Sequence, residues 1–410
     1  MNEENVLNSV PQNVQKPEGN HIEVPGIDMS KKDEQKPQKQ QTLLVLNVQS
    51  DWGGQGIIRN VWPFTTLNMI YGPRKQIITQ WENLYPISLR DLTSAHTLWL
   101  QRQSDPSQVE FIKEIARNRN QIGGLKMIMD NDDLIWGFNE KMGGDKKHGI
   151  PSWNPAYSHY NEVLQNSSIE GMSCMDLLSF STKFLGEYVH QELGVEVPYE
   201  IVPNTVPWAY WGRVRRPHIE ETIKKPKVIY TGAPQHYNNQ EKTMGDWANR
   251  NWVRWVKNSV NAGKIDFYCI GGLPHFFEPI KDKIKVYPWV EIFNLHLIIK
   301  DIQPDFCINP LYNCDFNKGK SDLKLVECCA AGMVCVGTVF EKDIWKGPYE
   351  EAPIRLPEDC TESDIEGEIR KACEPEEFNR ILDYQYKWIE DNGRYTEHPK
   401  FINNLVKVLV

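Results

Sequence analysis

From residue 42 to the C-terminus, short β-type apolar runs alternate with segments whose apolar positions recur at helical spacing. TLLVLNV (42–48) precedes the loop QSDWGGQG and then IIRNVWPFTTLNMIY (57–71), which predicts strand, glycine loop and helix. QIITQW (76–81), HTLWLQR (96–102), LKMIMD (125–130), the start of MDLLSFSTKFLGEYVHQELG (175–194) and PYEIV (198–202) continue the strands, with PSQVEFIKEIARN (106–118) among the helices between them. Strands roughly 25 residues apart leave room for a crossover helix each, so the pattern predicts βαβ units and a parallel sheet.

A second series follows. KVIYTG (227–232), IDFYCIGG (265–272), IKVYPWV (284–290), DFCINPL (305–311) and MVCVGTVF (333–340) read as strands, with the Trp-studded helix DWANRNWVRWVKNSVNAG (246–263) and the helix SDLKLVECCAA (321–331), closed by Gly332, between them. Between the two series, WAYWGRVRRPHIEETIKKPK (208–227) is charged, contains prolines and lacks apolar periodicity, as an interdomain linker does. The pattern thus predicts a first Rossmann-like domain over 42–207, a linker over 208–227 and a second such domain over 228–375. Helices over 376–410 are expected to pack back on the first domain. Residues 1–41 contain no aromatic side chain and are dominated by Gln, Asn, Lys, Glu and Pro, which predicts a disordered tail.

Composition narrows the class. The 410 residues are 40% hydrophobic and carry 14 Trp, 16 Tyr and 14 Phe, enough for two aromatic cores. A net charge of −9 excludes a polycation, so a polyanionic partner would need a local patch. Nine cysteines without CxxC spacing fit a reducing cytoplasm. The longest nearly apolar run, CCAAGMVCVGTVF, falls short of the roughly 20 residues that span a bilayer, so no integral membrane contact is expected.

The candidate chemistry concentrates in NKGKSDLKLVECCAAG (317–332). Ser321 is the expected N-cap, and the helix terminus behind it offers unpaired N–H groups and partial positive charge. Lys318, Lys320 and Lys324 add full charges, so the stretch suits a diphosphate without a metal, and Glu327 one turn in suits ribose hydroxyls. The bland alternative is a solvated lysine loop before a core helix. Its place after a strand of the second series favours a site, because ligands in open α/β sheets bind at the carboxyl ends of strands.

These residues resemble the retaining GT-B glycosyltransferases. That family carries a glycine pair after its first strand, a strand ending in PN before the linker, a glycine-ended strand opening the second domain, and a helix of the form K-x-x-E-x-x-x-x-G. Here DWGG stands at 51–54, VPN at 202–204, YTG at 230–232, IGG at 270–272 and KLVECCAAG at 324–332, in family order. The resemblance implies an α/β GT-B fold of two facing Rossmann-like domains, and transfer of a sugar, hexosyl or pentosyl, from a nucleotide sugar such as a UDP-sugar. It places Gly53 and Gly54 at the donor diphosphate, Lys320 and Lys324 on it, and Glu327 at the ribose. By position, Gly232 at the YTG strand end and Ser321 at the helix start join the donor set, and His236, a few residues past YTG, reaches the donor phosphates or is an ordinary surface or loop histidine; no metal and no cofactor are expected. One departure is plain: the family's second glutamate, eight residues before the ribose one, is replaced by Gly319.

A second cluster is DNDDLIW (130–136). Three carboxylates after a strand are costly unless they cap a helix, bind a cation or hold polar ligands. The stretch resembles the DD-x-x-W of a GT-B subgroup, which implies that Asp132 or Asp133 orients or activates the acceptor hydroxyl. Asp130 and Asp132 also resemble the D-x-D metal motif of the GT-A fold, and a simple N-cap is the third reading. His148 lies in a polar loop at an acceptor-framing position or is an ordinary loop histidine. DDLIW together with NKGKSDLK resembles glycosyltransferases of tailed phages and some bacteria, which implies a hydroxymethylated pyrimidine in DNA, hydroxymethylcytosine first, as acceptor. With a net charge of −9, duplex DNA would need a local patch, and the linker, where Arg213, Arg215, Arg216, Lys224, Lys225 and Lys227 face only Glu220 and Glu221, is either that patch or simply a solvated linker. The alternatives are a surface polysaccharide or other glycan acceptor, and a non-catalytic binding protein on a degenerate GT-B scaffold.

Overall fold

The computed structural model describes residues 42–50, 54–74, 76–82, 84, 87–136, 162–232, 236–237, 239–240 and 242–410. The tail 1–41, Gly53 and His148 lie outside the described residues. The first sheet comprises β1 (Leu43–Val48), β2 (Ile77–Trp81), β3 (Thr97–Gln101), β4 (Lys126–Asn131), β5 (Leu177–Phe180) and β6 (Tyr199–Ile201), in the order β2-β1-β3-β4-β5-β6. The second comprises β7 (Lys227–Thr231), β8 (Asp266–Ile270), β9 (Lys285–Tyr287), β10 (Phe306–Asn309), β11 (Val334–Val339) and β12 (Ile354–Pro357), in the order β12-β11-β10-β7-β8-β9. Every strand pair is parallel, with Leu46 opposite Leu98 and Val228 opposite Phe306 marking the central registers. These are two Rossmann-like sheets.

The strand order of each sheet reverses once, between β1 and β3 in the first and between β7 and β10 in the second. At such a reversal the two flanking loops leave in opposite directions and open a crevice beyond the strand ends, which is where ligands bind in this architecture. The central strands are buried on both faces, as their unbroken apolar runs require.

β12, four residues ending at a proline on the sheet edge, is too short to register in the periodic pattern. Helices Glu162–Met172, Ile292–Ile302 and Glu362–Ala372 are also absent from that reading. The C-terminal helices divide, against the expectation that residues 376–410 return together to the first domain. Helix Pro375–Asp391 stays on the second sheet, where Phe378, Ile381 and Leu382 pack with Phe306 and Val334. Only helix Pro399–Leu409 returns to the first sheet, placing Phe401, Ile402, Leu405 and Leu409 against Val45, Phe64, Trp99 and Ile128. Its carbonyl end is fixed by Thr97 Oγ1 to Leu409 O (2.8 Å) and Lys126 Nζ to Val408 O (2.8 Å). The reason is geometric: after Asp391 the chain bonds Val206, through Val206 N to Arg394 O (3.1 Å) and Thr396 N to Val206 O (3.0 Å), and so crosses exactly where the first series ends.

If that helix completes the first core, Phe401→Ala, which empties a site of 3% exposure, should destabilise the protein by about 3–5 kcal/mol. Urea unfolding monitored by circular dichroism measures this, and a loss under about 1 kcal/mol would place the helix outside the core.

Candidate active site

After β10 comes the short helix Asp315–Gly319 and then a helix from Leu323 to Ala331, with Asp322 rather than Ser321 as its N-cap residue. Ser321 is engaged elsewhere: Asn204 Nδ2 donates to its Oγ at 2.8 Å. Asp322 accepts from Arg394, whose Nε also donates to Asn204 O at 3.0 Å. The helix ends at Gly332 with φ +75°, where a Cβ would lie 2.1 Å from Tyr386 Oη, so no other residue fits the turn without displacement. Lys324 Nζ donates to Glu327 Oε2 at 2.9 Å. Burial alone would lower the Lys324 pKa, but the adjacent carboxylate outweighs it and raises it. Glu327 is 3% exposed, and its second oxygen, Oε1, is buried without a hydrogen-bond partner.

Lys320 lies just before that helix and points toward the loop after β7. Its Nζ is 3.1 Å from Asp246 Oδ2 and 3.3 Å from His236 Nδ1, while His236 Nδ1 approaches Asp246 Oδ2 at 2.7 Å. Burial and the Lys320 charge hold His236 below the ordinary imidazole value, against the pull of Asp246. Burial would raise Asp246, but Lys320 and the hydrogen bonds from His236 and Asn317 keep it below the ordinary carboxylate range. Gly232 ends β7 under Tyr230, whose Oη would be 2.3 Å from a Cβ there. Lys318 pairs with Asp315 (3.3 Å) and Asp343 (3.6 Å).

Gly319, the family departure, has a physical cause. A Cβ there would meet Leu185 at 3.0 Å and Leu134 at 3.3 Å, and its carbonyl accepts from Thr182 Oγ1 at 3.2 Å. The residue is pressed against the first core, and a side chain there would have to displace Leu185, Leu134 and Phe184.

On the first sheet, the segment from Gly54 onward bonds the ends of β3 and β4, Asn60 Nδ2 donating to Gln101 Oε1 at 2.5 Å and Trp99 Nε1 to Asn60 Oδ1 at 3.0 Å, and a Cβ at Gly54 would meet nothing within 4 Å. Asp130 is buried and bound by Arg59, whose Nε donates at 2.9 Å. That pairing takes the carboxylate a D-x-D metal motif would use. Asp133 accepts from Gln55 and, at 3.4 Å, from Arg102 Nη1. Asp132 is 5% exposed, and its Oδ1 makes no hydrogen bond; Arg102 Nη1 stands 3.8 Å away. Burial pushes the Asp132 carboxyl up to about 7, opposed by Arg102 and assisted by Asp133. Arg102 itself sits at φ +45°, a strained conformation for a long side chain.

The linker arginines separate. Arg213 is exposed, Arg215 stacks over Tyr386 (3.6 Å to the ring centre) and Trp208 (5.8 Å), and Arg216 is paired with Asp305. The structure therefore gathers Lys320, Lys324, Glu327 and His236 around the start of the Leu323–Ala331 helix and holds the Asp132–Asp133 pair just past the end of β4 in the first sheet, but spends Ser321 and Arg216 on structural bonds. Asp246, Arg59 and Arg102 escaped the sequence reading. Gly245 next to Asp246 was the available signal, since a glycine before a lone acid marks a close backbone approach.

The fold so assembled is GT-B. No protein-family model matches the chain, and no curated protein does. Among solved structures it is similar to sucrose-phosphate synthase from Thermosynechococcus elongatus (TM-score 0.56, 9% identity, 89% of this chain and 98% of that one). It is similar as well to an alpha-glucosyltransferase solved with UDP and a 13-mer DNA containing an HMU base (TM-score 0.54, 11% identity, 89% and 98%). A third is alpha,alpha-trehalose 6-phosphate synthase from Burkholderia multivorans (TM-score 0.52, 10% identity, 89% and 98%). No described helix is long and apolar enough to cross a membrane.

A carboxyl with a folded value near 7 and an unfolded value near 3.8 binds its proton more tightly in the folded state, so it stabilises the fold below pH 3.8 and loses that contribution as pH rises through 7. Asp132→Asn should therefore raise the melting temperature at pH 8 more than at pH 5. Equal shifts at both pH values in differential scanning calorimetry would show that Asp132 is not perturbed.

Proposed function

We propose that the chain is a glycosyltransferase that moves a sugar from a nucleotide sugar, most simply a UDP-sugar, to an acceptor hydroxyl. The observation that carries this is the buried, unpartnered Oε1 of Glu327 beside Lys324 at the start of a helix that borders the crevice. An orphaned buried carboxylate oxygen is costly unless a ligand donor completes it, and a ribose hydroxyl has the required chemistry. Lys320, Lys324, His236 and the glycine pair Gly53 and Gly54 would meet the diphosphate.

The transition state carries positive charge at the anomeric carbon and negative charge on the departing diphosphate, so fixed cations beside that diphosphate lower the barrier more than they tighten the ground state. Asp132, ionised above about pH 7, accepts the acceptor proton, with Asp133 and Arg102 holding the loop in place. Neutralisation by lysines predicts catalysis without a metal.

For the acceptor, the reading is a hydroxymethylated pyrimidine in DNA, hydroxymethylcytosine first, supported by the DNA-bound alpha-glucosyltransferase of similar fold and by the DDLIW and NKGKSDLK stretches. The base would be flipped into the crevice while phosphates are held outside it. Arg213 and Arg215 are the linker arginines left for that role. A glycan acceptor remains the rival, and the non-catalytic scaffold is disfavoured by the perturbed Asp132, which a binding protein has no need to bury.

Glu327→Ala should weaken UDP by roughly 1.5–3 kcal/mol in calorimetry while barely changing inorganic diphosphate, because its partner is the ribose. Equal loss for both ligands, or none, would refute the placement. Turnover should survive EDTA; abolition by chelation and recovery with Mn²⁺ would move the chemistry to a metal. If DNA is the acceptor, log affinity should fall with log salt by about 0.9 per phosphate neutralised, and Arg213→Ala with Arg215→Ala should flatten that slope.

A further inference from the structure

We infer that Asp246 is a positioning residue of the diphosphate site, one carboxylate that fixes both the His236 ring and the Lys320 ammonium in the orientation from which they reach the donor phosphates. This rests on the donor reading above. Asp246 cannot touch the phosphates usefully itself, since it is an anion and is 2% exposed, so it acts through its two partners.

The geometry divides its oxygens. Oδ1 is the anchor, accepting from Asn317 Nδ2 at 2.6 Å and lying 3.5 Å from Tyr312 N, which ties it to the segment after β10. Oδ2 faces the crevice, 2.7 Å from His236 Nδ1 and 3.1 Å from Lys320 Nζ. The carboxylate thus joins the segment after β7, which carries His236, to the segment after β10, which carries Lys320. The two meet at the strand reversal of the second sheet.

The approach is built into the backbone. Gly245 has φ +54°, and a Cβ on it would lie 2.2 Å from His236 O, so only glycine lets the Gly245–Trp247 turn press against the His236 backbone. Trp247, fully buried against Tyr230 (4.8 Å between ring centres) and Phe277 (5.2 Å), holds the turn from behind. A carboxylate seated this firmly specifies a tautomer. His236 Nδ1 lies near both Lys320, which only donates, and Asp246, which only accepts when ionised. The shorter contact is to the carboxylate, so Nδ1 carries the proton and donates to Asp246. Nε2 is then left to face a ligand, and a proton taken up there from solvent when a diphosphate binds gives an imidazolium that Asp246 supports from the far side. The same logic orients the imidazole in acid–histidine pairs of hydrolases. Lys320, tethered by one of its three N–H donors, keeps the others for the ligand.

The test uses the full chain, ¹⁵N-labelled at histidine, as wild type and as Asp246→Asn. The wild-type His236 should show the Nδ1-protonated tautomer, and Asp246→Asn should shift it toward the Nε2-protonated form. UDP affinity by calorimetry should fall about tenfold or more, as for loss of an oriented charge-assisted bond, with the melting transition still cooperative. An Nε2-protonated wild-type ring overturns the proposal even if Asp246→Asn fails to fold. So does a variant that binds UDP as tightly as wild type or more tightly. A wild-type protein that binds no UDP, yet shows the Nδ1 tautomer lost in Asp246→Asn, would sink the donor reading and leave the hold of Asp246 on His236 intact.

Discussion

A single buried guanidinium, that of Arg59, holds the crevice together. It is 4% exposed, grips Asp130 with two nitrogens, and donates to Val202 O and to Asn204 Oδ1 (3.0 Å). Through it the end of β4, the end of β6 and the helix over β1 become one unit. Asn204 then passes the connection to Ser321 in the second half, and Arg394 adds a second link through Asn204 O and Asp322. Breaking a buried pair of this kind leaves an uncompensated charge, at a cost of roughly 3–5 kcal/mol, so the position of the Leu323–Ala331 helix depends on residues of the first half. The π-type turn Ile57–Val61 that presents Arg59 is itself a distortion of the sort found at functional sites.

The crevice separates its charges by sheet. The second sheet contributes cations, Lys320 and Lys324, each tethered to a buried carboxylate that keeps it ordered. The first sheet contributes Asp132, whose own charge is discouraged by burial. On the proposed function, the departing diphosphate would lie beside the cations and the acceptor hydroxyl beside Asp132. The cost is visible in Oδ1 of Asp132 and Oε1 of Glu327, buried without a hydrogen bond that a bound ligand would supply.

Much of the architecture was legible because the central parallel strands, buried on both faces, must be written as apolar runs, and eleven of the twelve described strands were read from short apolar β-type runs. β12 was not, since four residues ending in proline carry no period. Lys324 and Glu327 were legible from their spacing on one helix, and Lys318 and Lys320 from the basic stretch before it. Asp246, Arg59 and Arg102 were not, because each acts on partners distant in sequence: 74 residues separate Lys320 from Asp246, and 71 separate Arg59 from Asp130. Ser321 misled for the opposite reason. It has the composition of an N-cap, but Asn204 claims its hydroxyl and the helix starts one residue later. Arg216 likewise looked like part of a basic patch until Asp305 took its charge. Gly319 shows that a missing acid can reflect packing, for there the chain runs against Leu134 and Leu185.

The central claim is that this crevice transfers a sugar. Mass spectrometry of hydroxymethylcytosine DNA and of free glycans, after incubation with the full-length protein and a panel of nucleotide sugars, tests it most directly. The account predicts one acceptor heavier by a single glycosyl residue with matching release of nucleoside diphosphate, and no gain with Asp132→Asn. Nucleotide sugars that bind but leave every acceptor unmodified, with no diphosphate released, would contradict it.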